Sequence, residues 1–153
     1  ALIQQLGKDA VIDAEQAALR LLATREHTRF ELRNKLKRAH AAPDIEQAIE
    51  LLAEQGLQSD ERYTELYVEL RRNKGCGPLR IRTELREKGV EEALIDVHVD
   101  ENDSCWRSLL LQVVKKKYGQ QPPADQNDLA RRGRFLSYRG FPPHLVRDYL
   151  FGD

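Results

Sequence analysis

The chain has 153 residues, with 25 Lys plus Arg against 25 Asp plus Glu, and therefore a formal net charge of zero. This length suits one domain or a small array of repeats and is enough to bury a core without disulfides or metals. Charged residues make up 33% and aromatic residues 7%, a balance that favours a helical protein with much solvated surface and disfavours a β-sandwich.

Ala1 to Ala10 show no basic segment followed by an apolar one, so no secretory signal is expected, and a chain without an initiator Met is open to having been trimmed. No window approaches 18 uninterrupted apolar residues, so no membrane span is expected. Ala14, Ala17, Ala18, Leu21 and Leu22 recur at helical spacing and predict a helix over 13–24. Thr28-Arg29-Phe30-Glu31 has the form of a capping box and opens a second helix over 28–39. Asp44-x-x-Gln47 after Pro43 suggests the same device for a third over 44–55. Tyr63, Leu66, Tyr67 and Leu70 mark a fourth over 60–74, and Gly77-Pro78 starts a fifth over 78–88, with Pro where its missing N–H costs nothing. A sixth is read over 90–101. Trp106, Leu109, Leu110 and Val113 define a seventh over 104–118, followed by helices over 127–139 and 142–151. Gly56, Gly75, Gly89, Gly119 and Gly140 each follow a helical run, where a left-handed cap is usual. No segment alternates convincingly enough to be a strand.

These nine helices fall into three similar groups. Phe30 to Leu36 aligns with Leu79 to Leu85, and Leu85-x-x-x-Gly89-Val90 aligns with Leu136-x-x-x-Gly140-Phe141. The expected fold is all-α: a tandem array of three three-helix repeats, elongated and curved, since a module of about 50 residues must stack to complete its core. The expected boundaries are an N-terminal arm over 1–12 and repeats over 13–58, 59–102 and 103–153.

Charge is distributed unevenly among them. Residues 1–58 carry 8 bases and 9 acids (net −1), residues 59–103 carry 8 and 12 (net −4), and residues 104–153 carry 9 and 4 (net +5). Arg71, Arg72, Lys74, Arg80 and Arg82 form a stretch without an acid, whereas Glu91 to Asp103 holds six acids and no base. Bases at helix C-termini complement the macrodipole, which accounts for Arg71, Arg72, Lys74 and the Lys115–Lys117 run. Arg80 and Arg82 lie in the first turns of a helix, where the positive helix end opposes them. They suggest a phosphate-binding demand around the Gly75–Pro78 turn. The acidic window reads as a solvated face or a surface for a basic protein.

Catalytic signatures are lacking. His27, His40, His98 and His144 are scattered without metal-ligand spacing, and no phosphate-loop or dinucleotide motif follows a strand. Ser59, Ser104, Ser108 and Ser137 have no nucleophile-elbow context. Cys76 and Cys105 cannot form a disulfide framework by themselves, and Cys76 reads as a small structural residue in a reducing cytoplasm. Trp106, Tyr63 and Tyr67 share helical spacing with Leu and read as core. The sequence thus describes a binding protein, not an enzyme, with no cofactor and no metal.

Four blocks resemble the RecX family of regulatory proteins. They are Arg25-Glu26-His27-Thr28-x-x-Glu31-Leu32-Arg33-x-Lys35-Leu36, Gly56-Leu57-x-x-Asp60-x-Arg62-Tyr63, Lys74-Gly75-x-Gly77-Pro78-x-Arg80-Ile81-x-x-Glu84-Leu85-x-x-Lys88-Gly89-Val90, and Phe135-Leu136-x-Tyr138-Arg139-Gly140-Phe141. The resemblance covers about residues 10–151, with the blocks in order. The resemblance implies tandem three-helix repeats and a regulator that lodges in the groove of the RecA recombinase filament. It further implies inhibition of RecA ATPase, strand exchange and filament growth, DNA binding to single and double strands, and a part in recombinational repair and the SOS response. A cytoplasmic monomer away from membranes is expected. The candidate DNA or filament surface comprises Arg71, Arg72, Lys74, Arg80 and Arg82 in the middle module, Arg25, Arg29 and Arg33 in the first, and Lys115, Lys116, Arg131, Arg132 and Arg139 in the third. Two other classes fit the residues: a helix-turn-helix-like DNA-binding protein without a recombinase partner, and an all-helical protein–protein adaptor.

Overall fold

The structure is a computed structural model and describes residues 2–152. The described residues form nine α-helices and no strand: α1 (Leu2–Thr24), α2 (Arg29–Leu36), α3 (Ala42–Glu54), α4 (Asp60–Asn73), α5 (Pro78–Glu87), α6 (Glu92–His98), α7 (Cys105–Tyr118), α8 (Gln126–Arg139) and α9 (Pro143–Phe151). The fold is an all-α series of three-helix units. No helix among the described residues is long and apolar enough to cross a membrane.

Several boundaries differ from the sequence reading, the second helix among them, which ends at Leu36 and not at 39. The first helix begins at Leu2, well before residue 13. Residues 2–12 lack a clean apolar stripe, yet good helix formers carry the helix through them, and Val11 is already buried beside Ala14 and Ala48. In α3, Pro43 lies inside the first turn and Ala41 is the N-cap, so Asp44 complements the helix dipole without making a side-chain cap. The sixth helix is shorter than 90–101, ending at His98.

The chain divides into two compact units. The first runs to Glu65 and includes Glu87–Glu91. Its core is Ala18 of α1, Leu32 and Leu36 of α2, and Ile45, Ile49 and Leu52 of α3. Burying each large aliphatic side chain contributes about 1.5–3 kcal/mol, which is what holds three short helices together. The capping box at α2 forms as the sequence suggests. Thr28 Oγ1 accepts from the Glu31 N–H at 3.1 Å, Glu31 Oε1 accepts from the Thr28 N–H at 3.1 Å, and Thr28 Oγ1 donates to the Lys88 carbonyl at 2.7 Å.

The second unit comprises Leu66–Arg86 and the described residues from Glu92 onward. Leu110 and Val114 of α7, Leu136 of α8, Phe141, and Val146 of α9 form its core. Trp106 is buried and donates its indole N–H to the Asp100 carbonyl at 2.7 Å, which is a core role. The start of α5 docks on the end of α8: the Gly77 N–H donates to the Arg139 carbonyl at 2.7 Å and the Leu79 N–H to the Gly140 carbonyl at 2.9 Å. This contact needs bare backbone on both sides. A Cβ on Gly77 would stand 2.5 Å from the Gly140 carbonyl, and one on Gly140 (φ +97°) would stand 2.4 Å from Arg80 Cβ.

Candidate nucleic-acid interface

Two helix ends and one helix flank in the second unit converge on a cleft of about 680 Å³. Arg72 and Lys74 come from the end of α4, Lys116 and Lys117 from the last turn of α7, and Phe135 and Arg139 from α8. Glu69 is the one acidic residue among its lining residues. The cations are held by rings and carbonyls. Lys117 Nζ lies 4.5 Å and the Arg139 guanidinium 5.2 Å from the centre of Phe135, and Arg72 lies 5.4 Å from that of Trp106. Arg139 Nη1 donates to the Lys74 carbonyl at 2.7 Å. Gly75 (φ +80°) makes that approach possible, since a Cβ there would sit 2.9 Å from Val113 Cγ2 and 3.3 Å from Arg139 Nη1. The two helix C-termini contribute partial negative charge. Five cations against one carboxylate still leave an excess that favours an anion.

The structure therefore brings together Arg72, Lys74, Lys116 and Arg139 of the expected surface, with Lys115 exposed just before the cleft. The other eight expected residues engage carboxylates of the chain itself. Arg25 forks onto Glu31 at 3.1 and 3.2 Å, and this hydrogen bonding pushes its already high pKa upward. Arg29 pairs with Glu50 at 3.2 Å and Arg33 with Glu46. Arg71 reaches both oxygens of Glu84, at 2.9 and 3.0 Å, beside the Tyr67 hydroxyl, which donates to the same carboxylate. Arg80 lies 3.6 Å from Glu84. The Arg82 side chain is only 12% exposed; it donates to the Val99 carbonyl and meets Glu92, Asp96 and Glu101. Arg131 pairs with Asp128 at 2.6 Å. Arg132 is buried, donates to the Gln121 carbonyl and the Tyr149 hydroxyl, and stacks 4.4 Å from the centre of Tyr118. Asp128 receives the Ala124 N–H and the Arg131 guanidinium, which hold its carboxyl below the usual range.

The phosphate site expected at the Gly75–Pro78 turn is thus filled differently. The Gly77 and Leu79 N–H groups are taken by α8 carbonyls, and Arg82 is neutralised from the acidic window. Arg86 pairs with Glu92 of the same window, so these acids serve arginines of the chain itself. Sequence reasoning passed over Lys117 and Phe135. The triple-lysine run and an aromatic one turn before Arg139 were the available signals. Cys76 is buried, and burial and Asp103 push the Cys105 thiol up, so neither position has the setting of an activated nucleophile.

Successive three-helix units, one of them carrying a cation-lined cleft, define a helical-repeat protein. Three family models match in tandem: the RecX first three-helix domain over residues 14–52, the second over 59–97 and the third over 107–150. The chain belongs to the RecX family. It is 41% identical over 145 residues to a regulatory protein RecX of Pseudomonas fluorescens and 40% identical over 145 residues to one of Pseudomonas syringae pv. tomato, with 94% of each chain covered in both cases. Its fold is similar to a crystal structure of regulatory protein RecX, with a TM-score of 0.83 at 23% identity over 99% of this chain and 78% of that one. It is similar also to RecX from Lactobacillus salivarius, with a TM-score of 0.80 at 21% identity over 94% and 96%.

Proposed function

We propose that this protein binds the RecA recombinase filament and its DNA, and restrains RecA ATPase, strand exchange and filament growth. It would thereby modulate recombinational repair and the SOS response. The observation that carries the reading is the match to all three RecX domains in order. The cleft adds a chemical basis for the DNA part. Arg72, Lys74, Lys116, Lys117 and Arg139 would hold phosphates, and rings or carbonyls already orient several of these cations. In this reading the chain acts as a cytoplasmic monomer whose repeats, 13–58, 59–102 and 103–153 behind the segment 1–12, each contribute modest contacts. Many weak contacts on one polymer add through effective concentration. The role requires no chemistry of the protein itself: occupying filament or DNA surface is sufficient.

The test is RecA ATP hydrolysis on single-stranded DNA with increasing amounts of this protein. Hydrolysis is expected to fall with dose. Unchanged hydrolysis at every stoichiometry would overturn the reading. DNA binding that persisted in that case would favour the helix-turn-helix-like class.

A further inference from the structure

Tyr138 is 74% exposed in the last turn of α8, more than the other surface rings, Phe30 and Phe151. Its neighbours on the helix are Arg134 one turn earlier and Phe135 three residues earlier. Steps of three and four residues join Arg131, Arg134, Phe135, Tyr138 and Arg139 into one continuous band of α8. Part of that band, Phe135 and Arg139, lines the basic cleft. The Arg80 guanidinium sits 5.1 Å from the centre of the Tyr138 ring and is tethered from behind by Glu84. Arg80 itself is fixed where α5 meets Gly140, because the Leu79 N–H is bonded to the Gly140 carbonyl. The ring is therefore presented by two anchored groups, one of them a cation already stacked on it, beside the basic cleft. A ring whose only work was to cover the core would be buried, as Phe141 is.

We infer that Tyr138 is a stacking platform for an unpaired nucleobase, so that the cleft and the α8 band together take single-stranded nucleic acid in preference to duplex. The inference rests on the cleft holding phosphates, as proposed above. Cations on such a surface follow the backbone, and an exposed aromatic between them accepts a base whatever its identity, because every base offers a π-face. In a duplex the bases are stacked on one another and the ring has nothing to receive. One stacked base is worth about 5- to 150-fold in affinity.

The test is fluorescence anisotropy with a labelled oligo(dT) and a blunt duplex of the same length, at one salt concentration. Tyr138→Ala is expected to weaken oligo(dT) binding by about fivefold or more and duplex binding by less than about twofold. Tyr138→Phe should retain oligo(dT) binding, since the ring is kept. Equal weakening on both ligands would overturn the proposal, because the ring would then act by holding Arg80 for phosphates. No weakening on oligo(dT) would overturn it as well. The cleft is tested apart from the ring. If Lys116→Glu with Arg139→Glu leaves the salt dependence of binding unchanged, the phosphate reading fails, even where the Tyr138→Ala loss persists.

Discussion

His27 is 1% exposed, yet both of its ring nitrogens are used. Nδ1 lies 3.0 Å from the Arg25 carbonyl, which can only accept, so Nδ1 carries the proton. Nε2 lies 2.9 Å from Lys35 Nζ, which can only donate, so Nε2 carries a lone pair. The ring is held in one neutral tautomer. Burial lowers its pKa, and the Arg25 and Lys35 charges push in the same direction, against the Arg25 carbonyl and Glu31. The sign of the linkage follows. An unfolded His titrates at about 6.5, and a folded value below that means the unfolded chain takes up the proton first. The contribution of His27 to stability is fully present above about pH 6.5 and is lost as pH falls through the folded value. Glu31 behaves separately. Burial raises its pKa, but Arg25 and the Thr28 N–H outweigh that and hold it below the ordinary value, so its contribution is lost only in a more acid range. Urea unfolding at pH 8 and pH 5.5 should therefore show lower stability at pH 5.5. In His27→Gln the baseline should drop by about 1–3 kcal/mol through the altered buried hydrogen bonds, and the difference between the two pH values should shrink. An unchanged difference would mean that another group titrates in this window.

Helix ends govern this fold at the scale of elements. A similar joint is made twice: within the first unit Thr28 and Phe30 at the start of α2 meet Lys88 and Gly89 just past the end of α5, and within the second unit Gly77 at the start of α5 meets Arg139 and Gly140 at the end of α8. In the second joint helix-start N–H groups donate to carbonyls left over at a helix end, which satisfies both sets at once; in the first the Thr28 hydroxyl donates to the Lys88 carbonyl. Gly140 and Gly119 separate the two demands placed on glycine. Gly119 has φ +72° with nothing near a would-be Cβ, whereas Gly140 has φ +97° and Arg80 Cβ at 2.4 Å. Gly119 (ψ −150°) lies outside the left-handed helical well, in a region nearly confined to glycine, so Gly119→Ala should cost a backbone term of about 1–3 kcal/mol and no packing term. Gly140 is left-handed (ψ 20°), so Gly140→Ala should cost about 1–2 kcal/mol of backbone strain plus about 1–3 kcal/mol of overpacking against Arg80, and its unfolding midpoint in urea should fall below that of Gly119→Ala. Equal midpoints would show that the joint yields cheaply. The sequence displayed the caps, the periodicity and the three-fold similarity, because these depend on neighbours three to five residues away. It did not display the joint. Gly77 and Gly140 are 63 positions apart, and nothing local distinguishes a glycine that caps from a glycine that also receives another helix.

The whole chain is neutral because its 25 bases equal its 25 acids, and most of its arginines lie against carboxylates of the chain itself. That pairing is what the sequence left illegible in the candidate interface. Arg82 is drawn by Glu92, Asp96 and Glu101 across a helix boundary, and Arg71 by Glu84 on another helix, so a count along the chain could not separate occupied bases from available ones. Of the thirteen residues expected at the surface, Arg72, Lys74, Lys115, Lys116 and Arg139 have no carboxylate within ion-pair distance among the described residues, and Lys117 joins them at the cleft. This sets how steeply binding should respond to salt. Each phosphate neutralised on a single strand contributes about −0.7 to the slope of log K against log salt. The six cations at and beside the cleft give a slope of about −4, whereas all thirteen expected residues would give about −9. Anisotropy titrations with oligo(dT) at several salt concentrations read the slope directly. A value near −4 is expected. A slope near −9 would mean that the internal ion pairs open on binding and their arginines turn to phosphate. Opening an exposed pair forfeits about 0.2–1 kcal/mol, so several exchanges together could be recovered by new contacts with a polyanion. Arg82 and Arg132 are the exceptions, because their guanidiniums are largely sequestered and also satisfy carbonyls. Releasing them would strand those groups, so even a binding mode that recruits every exposed arginine should leave these two in place and fall short of the full slope.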